Sequence, residues 1–198
     1  RVLFRSSRPG PAPDAIEEAA SLLADAKRPV MLLGGGTCDA SAEAVELAER
    51  LAAPVALTIN AKGVMPKGHP LSCLSYIPYK PMCAELAKAD VVLAVGTEMG
   101  ETDYDVFRNG DVKIPGKLIR LDIESDQTAR NYHADLSITS DARYGLAAIN
   151  TALSAKGVQN DMAAATGRCA SIRKESAEEI GEWTNEHMTW YEAIDAAA

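Results

Sequence analysis

The sequence predicts a doubly wound, mostly parallel α/β fold of three layers, Rossmann-like, with a helical C-terminal tail. Two short apolar runs carry this prediction: residues 29–33 run into three glycines, and residues 90–95 run into Gly96 and Thr97. A continuous apolar run that stops at glycine is typical of a strand buried on both faces of a parallel sheet. Helical patterns before and between these runs complete alternating units, which wind into a sheet covered on both sides.

A capping signal predicts the first helix. Asp14 is followed three positions later by Glu17, as in a capping box. Apolar residues then recur at helical spacing from Ile16 until the helix ends before Pro29. The preceding residues, 1–13, include a run of proline, glycine and serine and are predicted to be a linker.

The remaining elements follow in alternating order. We expect Asp39 or Ser41 to cap a second helix. Further strands are predicted at 54–59, 117–123 and, as an edge strand, 133–139, and further helices near 81–88 and at 141–155. Residues 60–79 are a long irregular stretch rich in glycine and proline, and loops of this length are usually functional or contact a neighbour.

Residues 156–198 differ from the rest because they are polar and helix-prone. Their sparse apolar anchors are Ile172, Ile180, Trp183 and Trp190. We expect this segment to be a helical linker that leads to an absent C-terminal domain and packs on a neighbour. The α/β domain is therefore predicted to span residues 14–155, and the chain has the character of a piece excised from a longer protein.

Composition excludes several classes of function. The net charge of −8 argues against nucleic acid and anionic membrane as partners, since both require clustered lysine and arginine. No apolar stretch approaches the roughly 18 residues that cross a bilayer. The four cysteines form no CxxC pair, so neither a zinc site nor a redox dithiol is indicated. These features together predict a cytoplasmic protein with reduced thiols.

A glycine turn is the first candidate binding feature. Gly34, Gly35 and Gly36 lie where a strand turns toward a helix, where backbone N–H groups can hold a phosphate. The turn lacks both the GxGxxG spacing and the P-loop lysine. The alternative, a tight turn that requires glycine, is therefore favoured.

Acidic side chains follow two predicted strands. Asp122 ends one strand, where an acid can accept hydrogen bonds from ribose hydroxyls, or it caps the following short helix with the two acids after it. The loop after Gly96 carries three more carboxylates: Glu98, Glu101 and Asp103. Such a cluster repels a pyrophosphate, so this loop either faces a cation or a basic group or is simply solvated. The solvated loop is favoured.

No catalytic residue and no metal-ligand set can be nominated. The three histidines, His69, His133 and His187, lie far apart on different kinds of element and are interpreted as surface or packing residues. Four further side chains either line a pocket or, as we favour, pack in the core or at an interface: Tyr76, Tyr79, Met82 and Met99.

Four segments carry a family resemblance when they are taken in order. They are residues 28–36 (Arg-Pro-Val-Met-Leu-Leu-Gly-Gly-Gly), residues 54–58 (Pro-Val-Ala-Leu-Thr) with 61–63 and 69–71, residues 89–96 (Ala-Asp-Val-Val-Leu-Ala-Val-Gly) and residues 119–124 (Ile-Arg-Leu-Asp-Ile-Glu). In this order and spacing they resemble the central domain of thiamine diphosphate-dependent enzymes of the acetolactate synthase and 2-oxo acid decarboxylase type.

The resemblance implies a middle domain separated from its active site. In that family the two flanking domains hold the cofactor, through a glutamate in the first and a Gly-Asp-Gly segment with a downstream asparagine in the third. Here Asn109, Gly110 and Asp111, which lie outside the residues described below, are predicted to form a turn and do not match that segment. The resemblance thus implies that thiamine diphosphate and Mg²⁺ bind outside this chain. It also implies flanking domains of the same chain as partners and a homodimeric or homotetrameric parent enzyme.

Some members of this family bind FAD or ADP in the central domain. The resemblance assigns such binding to the glycine turn and to the ends of three strands: Gly34, Gly35, Gly36, Thr58, Gly96, Thr97, Asp122 and Ile123. FAD-binding relatives carry an aromatic-Asp-Asp-Arg run after the glycine that corresponds to Gly96, whereas this chain has Met-Gly-Glu-Thr-Asp at 99–103. An empty or purely structural cleft is therefore favoured over FAD or ADP binding.

Two hypotheses from different classes follow. The first is a non-catalytic central domain of a thiamine diphosphate-dependent lyase or transferase, with no activity of its own. Because residues 60–79 depart from the glycine-rich pattern of acetolactate synthases, it extends to a catabolic 2-oxo acid decarboxylase, including one for a guanidino-bearing acid. The second is a self-standing nucleotide-binding domain for FAD, NAD or ADP, or an NAD-dependent enzyme of related fold. The lack of catalytic candidates favours the first.

Overall fold

The computed structural model describes residues 7–101 and 112–186, with the side chains of residues 183–186 left out. The described part contains one five-stranded sheet in the order β2-β1-β3-β4-β5, and every neighbouring pair of strands is parallel. The strands are β1 Pro29–Leu33, β2 Val55–Leu57, β3 Val91–Val95, β4 Lys117–Asp122 and β5 Leu136–Thr139. The predicted parallel sheet is confirmed, and the last strand lies at the sheet edge as expected.

The central strands end at the same level. Leu33 at the end of β1 is in register with Leu57 of β2 on one side and with Val95 of β3 on the other. Every residue of these three strands is buried, which explains why their sequences are continuously apolar. The turns that follow Leu33, Leu57 and Val95 therefore meet at one edge of the sheet.

Helices cover both faces of the sheet. They are α1 Pro13–Asp25, α2 Ser41–Leu51, α3 Lys80–Leu86, α4 Ser125–Thr128, α5 Ala142–Ala155 and α6 Ala163–Glu186, and short 3₁₀ turns follow β1 and β2 at Gly35–Thr37 and Ile59–Ala61. Helices α1 and α2 pack on α5, and α3 packs on α6. Right-handed crossovers place these two groups on opposite faces, which makes the three predicted layers. None of the described helices is both long and apolar enough to cross a membrane.

The predicted caps of the first two helices are wrong, whereas α5 has a side-chain cap that the sequence analysis did not name. Helix α1 begins at Pro13 after Ala12, without a side-chain cap, because proline is well suited to the first helical position. Helix α2 follows Ala40, again without a side-chain cap, and the Ser41 hydroxyl donates to the Val64 carbonyl oxygen at 2.5 Å instead. Asp141 caps α5 by accepting from the N–H of residue 143 at 3.1 Å.

Part of the long loop covers an edge of the sheet. Residues 71–74, here called the edge segment, run along the outer side of β2. The N–H of Val55 donates to the Leu71 carbonyl at 2.8 Å, and the N–H of Cys73 donates back to the Val55 carbonyl at 2.7 Å. These hydrogen bonds occupy the outer edge of β2, and the fully buried side chains of Leu71 and Cys73 hold the segment in place. The edge segment therefore protects β2 from pairing with another chain.

The predicted tail helix is confirmed, but its packing differs from the expectation. The first turns of α6 bury Ala165, Cys169, Ile172 and Ser176 against the chain's own domain. Glu179 accepts a hydrogen bond from the N–H of Lys80 at the start of α3, at 3.0 Å. Apolar and polar contacts together hold this part of the tail, so it does not depend on an absent neighbour. The side chain of Trp183 and the whole of Trp190 lie outside the described residues.

Candidate functional site

The strand order creates a crevice at the carboxyl edge of the sheet. The chain leaves β1 toward β2 on one side and later returns to β3 on the other, and ligands of doubly wound sheets bind where the order reverses in this way. A cleft of about 390 Å³ lies at this point. It is lined by Gly35, Gly36, Ile59, Asn60, Gly96, Glu98 and Gly100.

The glycine turn packs directly against the turn after β3. The N–H of Gly34 donates to the Val95 carbonyl at 2.9 Å, and the N–H of Gly36 donates to the Gly96 carbonyl at 3.0 Å. A Cβ on Gly34 would lie 2.1 Å from the Gly96 oxygen, and a Cβ on Gly36 would lie 2.8 Å from the Gly96 Cα. Gly96 itself has a φ of +57°, which favours glycine. The three positions therefore need glycine for close packing of two turns.

This packing leaves little for a phosphate to bind. Two of the three amides in the glycine turn, those of Gly34 and Gly36, already donate to carbonyls of the chain. The turn leads into a 3₁₀ helix of three residues, Gly35–Thr37, which has no extended dipole to attract an anion. Among the residues that line the cleft, the charged side chain is Glu98, which is exposed. These features support the tight-turn interpretation and disfavour an anionic ligand.

A buried arginine holds the turn after β3. Arg120 on β4 is 1% exposed, and its guanidinium donates to the Thr97 carbonyl at 2.8 Å and to the carbonyl of Arg130. The amide of Asn131 donates to the carbonyl of Glu98 at 3.0 Å. Sequence reasoning missed this role of Arg120, although a single arginine inside an apolar strand was a usable signal. Buried guanidinium groups require several acceptors, and this one finds them in two loops.

The structure brings together only some of the predicted binding residues. Gly35, Gly36 and Gly96 line the cleft, and Gly34 lies buried beneath it. The other predicted residues, Thr58, Thr97, Asp122 and Ile123, do not line it. Sequence reasoning missed Ile59 and Asn60 as lining residues, although they follow β2, a strand that ends at the same edge.

Each of those four residues has a local role or none. Thr58 is buried, and its N–H donates to the Leu33 carbonyl at 2.9 Å. The Thr97 hydroxyl accepts from the N–H of residue 99 at 3.1 Å. The Asp122 carboxylate accepts from the N–H of residue 124 at 3.1 Å, but α4 begins after Glu124 without a side-chain cap, so the predicted capping of this helix is wrong. Ile123 is half exposed.

The acidic loop lies only partly within the described residues. Glu101 lines a separate cleft of about 420 Å³, together with Lys113 and His133. Asp103 lies outside the described residues.

The two described histidines lie in different surroundings, since His69 contacts Glu49 on α2 and His133 lines the cleft with Glu101. The Nε2 of His69 lies 3.2 Å from Oε1 of Glu49, and its Nδ1 accepts from the N–H of Leu71 at 3.2 Å, so this ring ties α2 to the edge segment. His187 lies outside the described residues. Throughout residues 7–101 and 112–186, no three His, Cys, Asp or Glu side chains are grouped to hold a metal ion.

The methionines and tyrosines separate into two groups. Met82 and Met99 are buried in the core, in agreement with the favoured interpretation. Tyr76 and Tyr79 contact each other edge to face, with ring centroids 5.6 Å apart. They line a mainly apolar groove of about 530 Å³ in the long loop. The described residues that line this groove include Lys62 and Lys67 and the hydroxyls of Ser72 and Ser75, but no acid or histidine that would act as a base toward these hydroxyls.

Comparison with known proteins identifies the family. Residues 16–149, more than half of the chain, match the model of the thiamine pyrophosphate enzyme central domain. The chain is 37% identical over 174 residues to a probable 2-ketoarginine decarboxylase of Pseudomonas aeruginosa, covering 88% of this chain and 30% of that protein. It is 32% identical over 155 residues to a probable acetolactate synthase large subunit of Methanocaldococcus jannaschii, covering 75% of this chain and 25% of that protein.

Further comparisons agree with this assignment. A sulfoacetaldehyde acetyltransferase of Castellaniella defragrans is 34% identical over 185 residues, covering 87% of this chain and 30% of that protein. In structure, the benzoylformate decarboxylase of Polynucleobacter necessarius aligns with a TM-score of 0.62 at 20% identity, over 81% of this chain and 30% of that one, which shows the shared fold. The chain thus spans about 25 to 30% of the length of these curated relatives. It belongs to the central domains of thiamine pyrophosphate enzymes, as the sequence resemblance implied.

Proposed function

We propose that this chain is the non-catalytic central domain of a thiamine diphosphate-dependent enzyme that acts on 2-oxo acids, and that its role is structural and oligomer-forming. The engagement of the turn amides at the switch-point cleft carries this proposal. Where a doubly wound domain ordinarily offers free N–H groups to its ligand, the amides of Gly34 and Gly36 donate to the carbonyls of Val95 and Gly96. A domain built in this way supports its neighbours and does not perform chemistry.

The parent enzyme's cofactor does not fit the described residues of this chain. A magnesium diphosphate requires oxygen ligands for the metal and donors or cations for the phosphates. The cleft at the sheet edge offers the metal a single carboxylate, that of Glu98, and it offers the phosphates no cation, while two of its turn amides are already engaged. We therefore assign thiamine diphosphate and Mg²⁺ to flanking domains of the parent chain, and no step of the reaction to this one.

The same features support an empty or weak nucleotide cleft. FAD and ADP both carry a diphosphate, and the described residues that line the cleft offer it no cation, since their charged side chain is Glu98. The self-standing NAD-dependent enzyme gains no support from the cleft for the same reason.

For the substrate of the parent enzyme, we propose a 2-oxo acid that bears a guanidino group. The similarity to the probable 2-ketoarginine decarboxylase supports this choice, since that alignment covers most of the chain. The departure of residues 60–79 from the acetolactate synthase pattern supports it independently. We also propose that the parent enzyme forms homodimers or homotetramers.

Activity assays test the proposal. The purified chain, supplied with thiamine diphosphate, Mg²⁺ and 2-oxo-5-guanidinopentanoate, should release no carbon dioxide, whereas the full-length parent protein should release it. Turnover that scales with the concentration of the isolated chain contradicts the non-catalytic role. Equal rates on pyruvate and on the guanidino acid by the parent protein contradict the substrate class alone.

A ligand titration tests the cleft separately. We expect no quenching of flavin fluorescence when FAD is titrated with micromolar chain, and no shift in melting temperature with ADP. Binding of either ligand at micromolar concentration, abolished by Gly36→Ala and retained in the exposed-helix variant Gly181→Ala, would show that the cleft is a working nucleotide site.

A further inference from the structure

Two cysteines that are distant in the sequence meet beneath α6. The Sγ atoms of Cys73 in the edge segment and Cys169 on α6 are 3.5 Å apart, although 96 positions separate them. Both residues are fully buried. The Cys73 thiol donates to the Cys169 sulfur, and the Cys169 thiol lies 3.3 Å from the Leu71 carbonyl oxygen. Sequence spacing indicated no dithiol here, and the tertiary fold creates one.

The surroundings shift the pKa values of the two thiols in opposite directions. The pKa of Cys169 is lowered, first because the Cys73 thiol donates a hydrogen bond to it and then because Arg173 and Arg168 are near, although burial opposes this shift. The pKa of Cys73 is raised, first by the same hydrogen bond and then by burial. Arg173 is held in place by hydrogen bonds to the carbonyls of Pro70 and Ser72, at 3.2 and 2.6 Å. Cys169 is therefore the better nucleophile, and Cys73 keeps its proton.

We propose that Cys73 and Cys169 form an oxidative modification site, at which a peroxide converts the two thiols to a disulfide that ties α6 to the edge segment. The fold favours this reaction because each sulfur is the other's neighbour. The two atoms must approach by about 1.5 Å to reach the S–S distance of a disulfide, which small side-chain rotations can provide.

The reaction balances in two steps. The Cys169 thiolate attacks one peroxide oxygen, the O–O bond breaks, and the released hydroxide takes up a proton as water, which leaves a sulfenic acid on Cys169. The Cys73 sulfur then loses its proton and attacks the Cys169 sulfur, the S–O bond breaks, and a second water leaves. The two thiols lose two electrons and two protons, and the peroxide accepts both electrons.

Burial selects the oxidant. Hydrogen peroxide is little larger than water and can reach the pair during brief openings of α6, whereas bulky disulfide reagents are excluded.

The other two cysteines provide internal comparisons. Cys38 is exposed, with its sulfur 3.5 Å from the Asn60 carbonyl, and Cys83 is partly buried, with its sulfur 3.4 Å from the Ile77 carbonyl.

The test uses a variant that keeps only the buried pair. The chain carrying Cys38→Ser and Cys83→Ser is treated with hydrogen peroxide under native conditions, quenched with catalase, alkylated in denaturant without reductant and digested for mass spectrometry. We expect a peptide pair joined through Cys73 and Cys169 that is two hydrogens lighter than its parts and separates on reduction. The cross-link closes a loop of 96 residues, so the urea midpoint should rise by on the order of 1 M.

Matched variants make the outcome decisive. Adding Cys169→Ser to this background should abolish the cross-link, and circular dichroism verifies that each variant is folded. The wild-type chain reports reactivity in parallel, because Cys38 should react with a bulky disulfide reagent while Cys73 and Cys169 do not. Three results overturn the proposal: free thiols at both positions after a peroxide dose that oxidises Cys38 in the wild type, separate sulfinic acids, or a cross-link that forms only in denaturant.

Discussion

Replacing Glu85 by glutamine should loosen the attachment of α6 to the domain. Glu85 lies on α3, its side chain is only 6% exposed, and its two carboxylate oxygens contact two different arginines. One oxygen contacts Arg28, just before β1, and the other lies 2.9 Å from the Nε of Arg168 on α6. A single carboxylate therefore joins the sheet, α3 and the tail helix.

The magnitude follows from the burial of the three side chains. Removing one partner of a fully buried ion pair costs roughly 3 to 5 kcal/mol, because the remaining charge loses its compensation. The side chains of Arg28 and Arg168 are 33% and 23% exposed, so hydration of their guanidinium groups offsets part of this cost. We expect Glu85→Gln to lower the free energy of unfolding by about 2 to 3 kcal/mol, a measurable part of the roughly 5 to 15 kcal/mol of a typical domain.

Urea unfolding followed by circular dichroism measures this effect. With a slope of about 2 kcal/mol per molar, the midpoint should fall by about 1 M or slightly more. Hydrogen exchange should accelerate along residues 163–179, because the helix loses an anchor. The matched control is Glu178→Gln, since Glu178 is 60% exposed and lies 3.9 Å from the Nζ of Lys174. The control should change the free energy by less than about 0.5 kcal/mol.

Equal midpoints for Glu85→Gln and Glu178→Gln would refute the reasoning. The carboxylate would then contribute nothing beyond an exposed one, and the docking of α6 would rest on apolar packing alone. If Glu85→Gln fails to fold, Arg168→Met provides a milder test, because it removes one arm of the network and keeps an apolar stem of similar length. That variant should show the same increase in exchange along residues 163–179.

Four further substitutions test other features of the fold. Ser176→Ala should raise the free energy of unfolding by about 1 kcal/mol in urea titrations, because the buried Ser176 hydroxyl has no hydrogen-bond partner in the described part of the chain; a loss of stability would show that the hydroxyl is satisfied. Gly36→Ala should lower the free energy of unfolding by about 1 to 3 kcal/mol, because its Cβ would lie 2.8 Å from the Gly96 Cα. The control Gly181→Ala should raise the free energy of unfolding by about 0.5 to 1 kcal/mol, because this helical position has open space around it. Equal effects of the two substitutions would contradict the close packing of the turns. Asp135→Asn should destabilise by less than about 1 kcal/mol at pH 7. The pKa of Asp135 is lowered from its ordinary 3.8, first by the hydrogen bond from the Lys117 ammonium and then by one from a backbone N–H. The carboxylate therefore stabilises the fold at pH values above 3.8, and this stabilisation is lost as the pH falls through the lowered pKa of the folded state. Melting temperatures of Asp135→Asn and wild type should therefore converge in acid, and a constant difference from pH 7 to pH 2 would contradict the assignment.

The strands were predictable because their signal is local. A strand buried on both faces must be apolar at every position, and residues 29–33 and 90–95 meet that condition without reference to the rest of the chain. Their bounds moved by no more than a residue or two in the structure, as they did for the strand near residue 120. The family was likewise accessible from the sequence, because the order and spacing of several segments is a property of the chain alone.

The candidate site was only partly predictable. The sequence located the glycines at strand ends, but it could not show that the amides of Gly34 and Gly36 donate to carbonyls of the turn after β3. That fact depends on which strands are neighbours, and the order of strands in a sheet is decided by long-range crossovers. Asn60 joined the cleft for the same reason, because β2 and β3 flank β1.

The sequence by itself determined the fold class, the position of most helices and strands, and the family, since each rests on patterns within a few residues or on their order along the chain. Only the tertiary structure decided the cover over β2, the docking of α6 and the meeting of Cys73 with Cys169. These features join residues about 20 to 100 positions apart. Their existence depends on the distances that the packed sheet imposes, and no local periodicity encodes those distances.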